Sequence, residues 1–350
     1  MTIRSVSKIT NRAGMLLLVV STSSACTTAG DTNDRLDAGP RKVTVQEWDT
    51  VAMISGADIE DTTLHLPGRI VRWNNALAII DQLPPFVRVF SNTGRPLWSK
   101  GRFGEGPGEL KNPYALAVAN NGNLLVLDAG LMRFNEYTPG GEFVRHLANA
   151  RARIGGDFTV IPDWIVVTNS NPRISTTYLT EDSLEVIETQ PLPWPDSLPR
   201  RTRIDRWSAA VPGRRMSWVS GFRMGPGFFV YAEGRPTYHP YIEEVPLVSG
   251  RQLSVRFAAH SIDVIGDEVF FLFGGQGLRT GVERPRFVDV YGLDGAYRRS
   301  YQLPMEAFHL TTDGSTFYVL QHEPFPAVII LRPKPNEPRR RRRLRGTPRD

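Results

Sequence analysis

Apolar positions along the chain fall in short solid runs of five or six rather than in a long periodic stripe. "NNALAIID" (74–81), "NGNLLVLD" (121–128), "WIVVT" (164–168), "GFFVYA" (227–232), "EVFFLF" (268–273) and "STFYVLQ" (315–321) are each bounded by Gly, Pro, Asn, Asp or Ser. Runs of this length and composition predict strands buried on both faces. No stretch of ten or more residues keeps a helical period without a Gly or Pro interruption, and the chain holds 31 Gly and 27 Pro.

The runs repeat. Residues 74–98 lie over residues 121–145 at one constant offset, so that Asp81 falls on Asp128, Phe90 on Tyr137 and Gly94 on Gly141. Each unit predicts an apolar strand, a loop, a second strand with an aromatic, a Gly turn and a third strand. Further units lead from "WIVVT" to Tyr178 and "EDSLEVIE" and from "GFFVYA" to "YIEEVPLVSGRQLSVRF". The last two lead from "EVFFLF" to "RFVDVYGLDGAYRRSY" and from "STFYVLQ" to "PAVIILR". Six units of about 48 residues suit four-stranded blades, and the fold class expected is all-β, a six-bladed β-propeller over residues 42–332. The last unit is short of strands, whereas residues 42–54, "KVTVQEWDTVAMI", form an orphan strand pattern; the expectation is that this N-terminal strand completes the last blade and leaves no free edge.

"GEGPGELKNPYALAVANNGNLLVLDAGLMRFNEYTPGGEFVR" (104–145) resembles the NHL repeat of six-bladed propellers, with Asn121 where that family has Asp and Leu127 where it has Ala. The Gly-rich start is not a phosphate loop. No Lys follows a glycine at Walker spacing, Glu109 replaces the third Gly of a dinucleotide loop, and Pro107 removes a backbone donor. It reads as a blade-to-blade connection.

Charge and address change the picture at the ends. Arg4, Lys8 and Arg12 precede an apolar run (15–20) and small residues up to Cys26, the only cysteine; the run is far shorter than the about twenty residues of a bilayer span. Residues 1–25 therefore read as a signal peptide. "SSAC" resembles the bacterial lipobox, with Ser23 where Leu is usual, which implies lipidation at Cys26; plain secretion is the alternative. Residues 26–41 read as a flexible tether and 333–350 as a disordered Arg-rich tail. Nine Lys/Arg against two acids in residues 331–350, together with the basic signal, exceed the net +6 of the chain, so the body is slightly acidic. For an exported chain the partners expected are an envelope protein, a peptide or a glycan, with the membrane reached through the lipid and no nucleic acid, and the chain is expected to be a monomer.

Within a propeller, the loops between second and third strands and those joining blades open on one face. The candidates on that face are Arg102, Arg173, Arg235, Tyr238, His239, Arg279, Arg284, His322 and Glu323, with the insertion 194–207 beside them. His260 and His309 fall at nearly the same point of neighbouring inner strands. Two imidazoles in one channel could hold a divalent metal whose water attacks an ester or lactone, with Glu323 or Asp263 assisting. Some six-bladed propellers, the gluconolactonase-like lactonases among them, use channel metals, so the resemblance implies this hydrolase or lyase as the alternative to a non-catalytic binding scaffold. There is no G-x-S-x-G, and "HEPFP" (322–326) cannot continue as H-E-x-x-H.

Overall fold

The computed structural model describes residues 40–44, 47–55, 64–149, 156–169, 175–192, 206–222, 225–243, 258–274 and 285–334. The signal, Cys26 and nearly all of the tether and tail lie outside them.

The described chain enters through β1 (Val43–Thr44) and β2 (Trp48–Ser55). Blade 1 then consists of β3 (Pro67–Trp73), β4 (Ala76–Asp81), β5 (Val87–Ser91) and β6 (Pro96–Lys100), and blade 2 of β7 (Pro113–Val118), β8 (Leu124–Asp128), β9 (Arg133–Tyr137) and β10 (Phe143–Leu147). Blade 3 is β11 (Gly156–Ile161), β12 (Trp164–Asn169), β13 (Ser175–Thr180) and β14 (Val186–Pro191); blade 4 is β15 (Arg206–Ala210), β16 (Trp218–Phe222), β17 (Gly227–Ala232) and β18 (Arg235–Pro240). Blade 5 is β19 (Ala259–Ile265), β20 (Glu268–Phe273), β21 (Phe287–Gly292) and β22 (Tyr297–Gln302), and blade 6 has β23 (His309–Thr312), β24 (Phe317–Gln321) and β25 (Ala327–Pro333). Strands pair antiparallel in order within each blade, and the first strands touch in the cycle β3, β7, β11, β15, β19, β23 and back to β3. The fold is a six-bladed β-propeller with no helix among the described residues.

Strand sequences follow from position in the blade. β8 and β9 are buried at every residue, because neighbouring blades cover both faces of the middle of each sheet. The outer strand β10 alternates, with one face on the next blade and one in water. The apolar core is accordingly six clusters, one between each pair of adjacent blades. Ile54 of β2 belongs to the cluster between blades 6 and 1.

The repeated residues have repeated duties. The buried Asp128 carboxylate accepts the backbone N–H groups of Lys111 (2.8 Å), Asn112 (3.0 Å), Gly130 (2.9 Å) and Leu131 (3.2 Å), tying the incoming connection to the loop after β8. Asp81 does the same one blade earlier, accepting from His65 and Leu66 at 2.8 Å. Gly141 (φ +82°) turns between β9 and β10, and a Cβ there would lie 2.7 Å from the Trp98 ring, whose Nε1–H donates to Pro139 O. Only glycine meets both demands.

The Gly-rich connection is a folded hook held by blade 2. Arg133 donates to the carbonyls of Glu105, Gly106 and Glu109, and Tyr137 Oη donates to Gly108 O. Its Glu109 carboxylate accepts Gly106 N–H (2.8 Å) and Arg102 Nε (2.6 Å), so that backbone donor is already taken.

As expected from the orphan pattern, β2 pairs antiparallel with β25 and completes blade 6. The closure reaches further than that. β1 pairs parallel with β22 as a fifth strand of blade 5. Arg41, which the sequence reading gave to the tether, is buried in the ring. Its Nε and Nη2 donate to the two Asp289 oxygens at 2.8 and 2.9 Å, and its Nη1 donates to Glu243, in the connection after blade 4. Ser300 Oγ also donates to Asp289 (2.6 Å), and the Arg41 guanidinium stands 4.7 Å from the Phe273 ring centroid. Residues 41–44 and 47–55 thus fasten blades 4, 5 and 6 together.

Candidate functional site at the channel mouth and loop end

The six first strands line a central channel with a cavity of about 290 Å³. On its wall, near the ends of β19 and β23, the Asp263 carboxylate accepts Thr311 Oγ1–H (2.7 Å) and Thr312 N–H (2.9 Å). Desolvation inside the ring pushes this carboxyl up, against those bonds and the nearby Arg72 charge.

At the loop end the channel is crossed by a belt to which every blade contributes. Arg69 of β3 pairs with Asp157 of β11 at 2.5 Å. Asp157 also accepts Ser208 N–H at 2.6 Å and Ser208 Oγ–H at 3.1 Å. The Arg69 guanidinium carbon sits 4.2 Å from the Trp207 ring centroid and 5.7 Å from that of Tyr114. Trp207 Nε1–H donates to Ala259 O (2.9 Å) and meets the His309 ring edge-on at 5.8 Å. Above the belt lies a cavity of about 130 Å³, onto which His260, His309, Gln82 and Phe308 also open.

His260 and His309 therefore do share one cavity, His309 buried and His260 half-buried. Among the described residues, however, no three His, Cys, Asp or Glu side chains gather as a metal-ligand set. Arg69, paired with Asp157, lines this cavity together with Gln82, Tyr114, Trp207 and Phe308, and no Asp or Glu among the described residues lines it.

Of the predicted face residues, Arg102, His322 and Glu323 lie on the loop end. His322 stacks on Phe308 at 4.1 Å and its Nε2–H donates to Pro67 O (2.8 Å). Arg173, Arg279 and Arg284 lie outside the described residues, as does nearly all of the insertion 194–207. Arg235, Tyr238 and His239 are not on a loop: they stand on β18, the outer strand of blade 4. Arg235 follows the tight turn at the opposite end, Tyr238 packs on Phe222 and Phe229, and His239 packs on Phe228. The repeat pattern equates "GFFVYA" with "NNALAIID" and "NGNLLVLD", whose strands β4 and β8 are second in their blades, but β17 is the third of its blade; β15 and β16 precede it. Arg69 and Tyr114 were not singled out. The available signal was the pair of charged residues, Arg69 and Arg72, in the otherwise apolar "RIVRW".

The loop end carries a second feature. Phe103 is 67% exposed, and Leu66, Leu83, Tyr114, Met132 and Phe325 are exposed as well. All six lie on connections or strand starts of blades 6, 1 and 2, three consecutive blades, at the same end of the ring. The other exposed large apolar side chains among the described residues, such as Val51, Leu97, Val144 and Ile187, sit on the outer strands β2, β6, β10 and β14.

No family model matches the chain, and no curated protein is significantly similar to it. Solved structures are similar in fold. A member of the DUF4221 family from Bacteroides vulgatus has a TM-score of 0.54 at 10% identity, covering 85% of this chain and 99% of that one. Virginiamycin B lyase from Staphylococcus aureus has 0.51 at 12% (82% and 99% covered), and the RRP9 WD40 repeats 0.52 at 11% (82% and 100%). Identities this low define the class, a β-propeller, and carry nothing about activity.

Proposed function

We propose that this propeller is a non-catalytic binding protein that docks a protein or peptide partner on the loop end of blades 6, 1 and 2. The observation that supports it is that, among the described residues, the exposed large apolar side chains away from the outer strands lie on that arc. Exposed apolar side chains gathered at one end of a fold mark an interaction site, and exposed aromatics such as Phe103 are the residue type that anchors such contacts. Export with lipidation at Cys26 belongs to the same proposal and rests on the N-terminal sequence and the lipobox resemblance; the NHL-like stretch at 104–145 agrees with it. An envelope protein or peptide is the partner, with glycan the alternative ligand. The test is affinity capture from envelope extracts with the wild type and with Phe103→Asp, Phe325→Asp. A partner held stoichiometrically by the wild type and lost by the variant supports the reading; identical captured sets contradict it.

The convergence of His260 and His309 favours one second reading, a metal-dependent hydrolase or lyase. It predicts near one transition metal per chain in protein purified without chelators, lost in His260→Ala, His309→Ala. Metal at background level removes it.

A further inference from the structure

We propose that the channel mouth is a binding site for a small organic carboxylate anchored by Arg69. The site shares Tyr114 with the apolar arc but does not depend on the docking proposed above.

The Arg69 side chain is only 9% exposed, yet its Nη2 donates no hydrogen bond, although Nη1 is engaged by Asp157. Covered polar groups in folded proteins nearly always have partners, so a buried guanidinium with an idle donor group beside a cavity marks a place for an acceptor. Asp157 does not supply it: its Oδ2 takes both Ser208 bonds and its Oδ1 faces Nη1, not Nη2.

The composition of the wall selects the charge of the ligand. Arg69, Gln82, His260 and His309 line the cavity together with aromatic rings, and no Asp or Glu does. Gly68 helps place the Gln82 amide: a Cβ there would come to 3.0 Å of Gln82 Nε2, so a side chain would crowd it. A wall rich in donors around a fixed cation favours an anion. Guanidinium geometry matches a planar carboxylate, and the Trp207 and Tyr114 rings flank the guanidinium with their centroids 4.2 and 5.7 Å from its carbon. The 130 Å³ of space holds about four water-sized groups, which limits the ligand to a small acid.

Titration calorimetry and melting curves of the full chain in Tris chloride, with sodium acetate or pyruvate added and sodium chloride and phosphate as controls at matched ionic strength, test the proposal. A carboxylate is expected to raise the melting temperature saturably and to move the Trp207 indole N–H resonance, assigned with Trp207→Phe, without moving that of Trp164. Arg69→Lys, which keeps the charge and loses the fork, should weaken binding at least tenfold. The double variant Arg69→Met, Asp157→Leu removes both charges together and should abolish it. Absence of any carboxylate effect beyond chloride overturns the proposal, as does equal binding by the double variant or tighter binding of phosphate than of either acid. The indole resonance is read on the wild type, so the test stands even if a variant does not fold.

Discussion

Replacing Arg41 by Met is expected to destabilise the ring by about 3–5 kcal/mol, the cost of leaving buried carboxylates without their cation. The Arg41 side chain is 2% exposed, and its partners Asp289 and Glu243 are 0% and 9% exposed. The substitution keeps the apolar stem against Phe273 and Phe287 but deletes three charged hydrogen bonds. Asp289 then retains Ser300 Oγ–H as its donor, and two like charges face each other in a dry site. For a domain of this size each kcal/mol lowers the melting temperature by about 2–4 °C, so calorimetry should show a drop of roughly 6–20 °C. The sign of the pH effect follows from burial, which pushes the Asp289 carboxyl up even with Arg41 beside it. A carboxyl whose folded value lies above its unfolded value favours the fold below the unfolded value, and that contribution is lost as pH rises through the folded value. Removing Arg41 raises Asp289 further, so the deficit of the variant should shrink from pH 7 toward pH 4. The double variant Arg41→Met, Asp289→Asn should lose less than Arg41→Met alone. A loss under 1 kcal/mol for Arg41→Met, or a deficit that grows on acidification, would refute the claim that this cation fastens the ring.

Asp128→Ala removes the acceptor of four backbone N–H groups and should cost about 3 kcal/mol in urea unfolding, with Asp81→Ala close behind. Burial pushes the Glu136 carboxyl up, but hydrogen bonds from Asn123, Arg145 and Asn121 outweigh it and hold the group below the usual range. Its contribution is therefore present above the unfolded carboxylate value and lost as pH falls through the folded one; the stability gap between wild type and Glu136→Gln should be largest near pH 7 and close below about pH 4. Phe103→Asp should change stability by no more than about 0.5 kcal/mol, because the ring is exposed, while removing partner capture.

What was legible in the chain is what local sequence determines. Asp81 and Asp128 end a strand at the same place in two repeats because each closes its own blade through residues within about twenty positions, and the Gly94 and Gly141 turns are equally local. The closing strand was visible as an orphan, since six blades left one apolar pattern without a place. Arg41 was not, because its partners lie 202 and 248 residues away and nothing in "GPRKV" distinguishes a latch from a tether. Blade 4 was misaligned because "RWSAA" and "WVSGF" carry Arg, Ser and Gly where strands usually show solid apolar runs, and that shift moved Arg235, Tyr238 and His239 from an outer strand to a loop. The His260 and His309 pairing followed from blade periodicity, whereas the Arg69 belt requires six strands to meet and leaves no periodic trace.

Site-specific photo-crosslinking in intact cells addresses the docking claim most directly. A photoreactive residue is placed at 83, 103 or 325 on the loop end and, as control, at Leu97 or Val144 on outer strands, positions that are also exposed and apolar. The account predicts one partner joined from 83, 103 and 325 and absent from 97 and 144. Crosslinks that arise equally from both sets, or only from the outer strands, would contradict it.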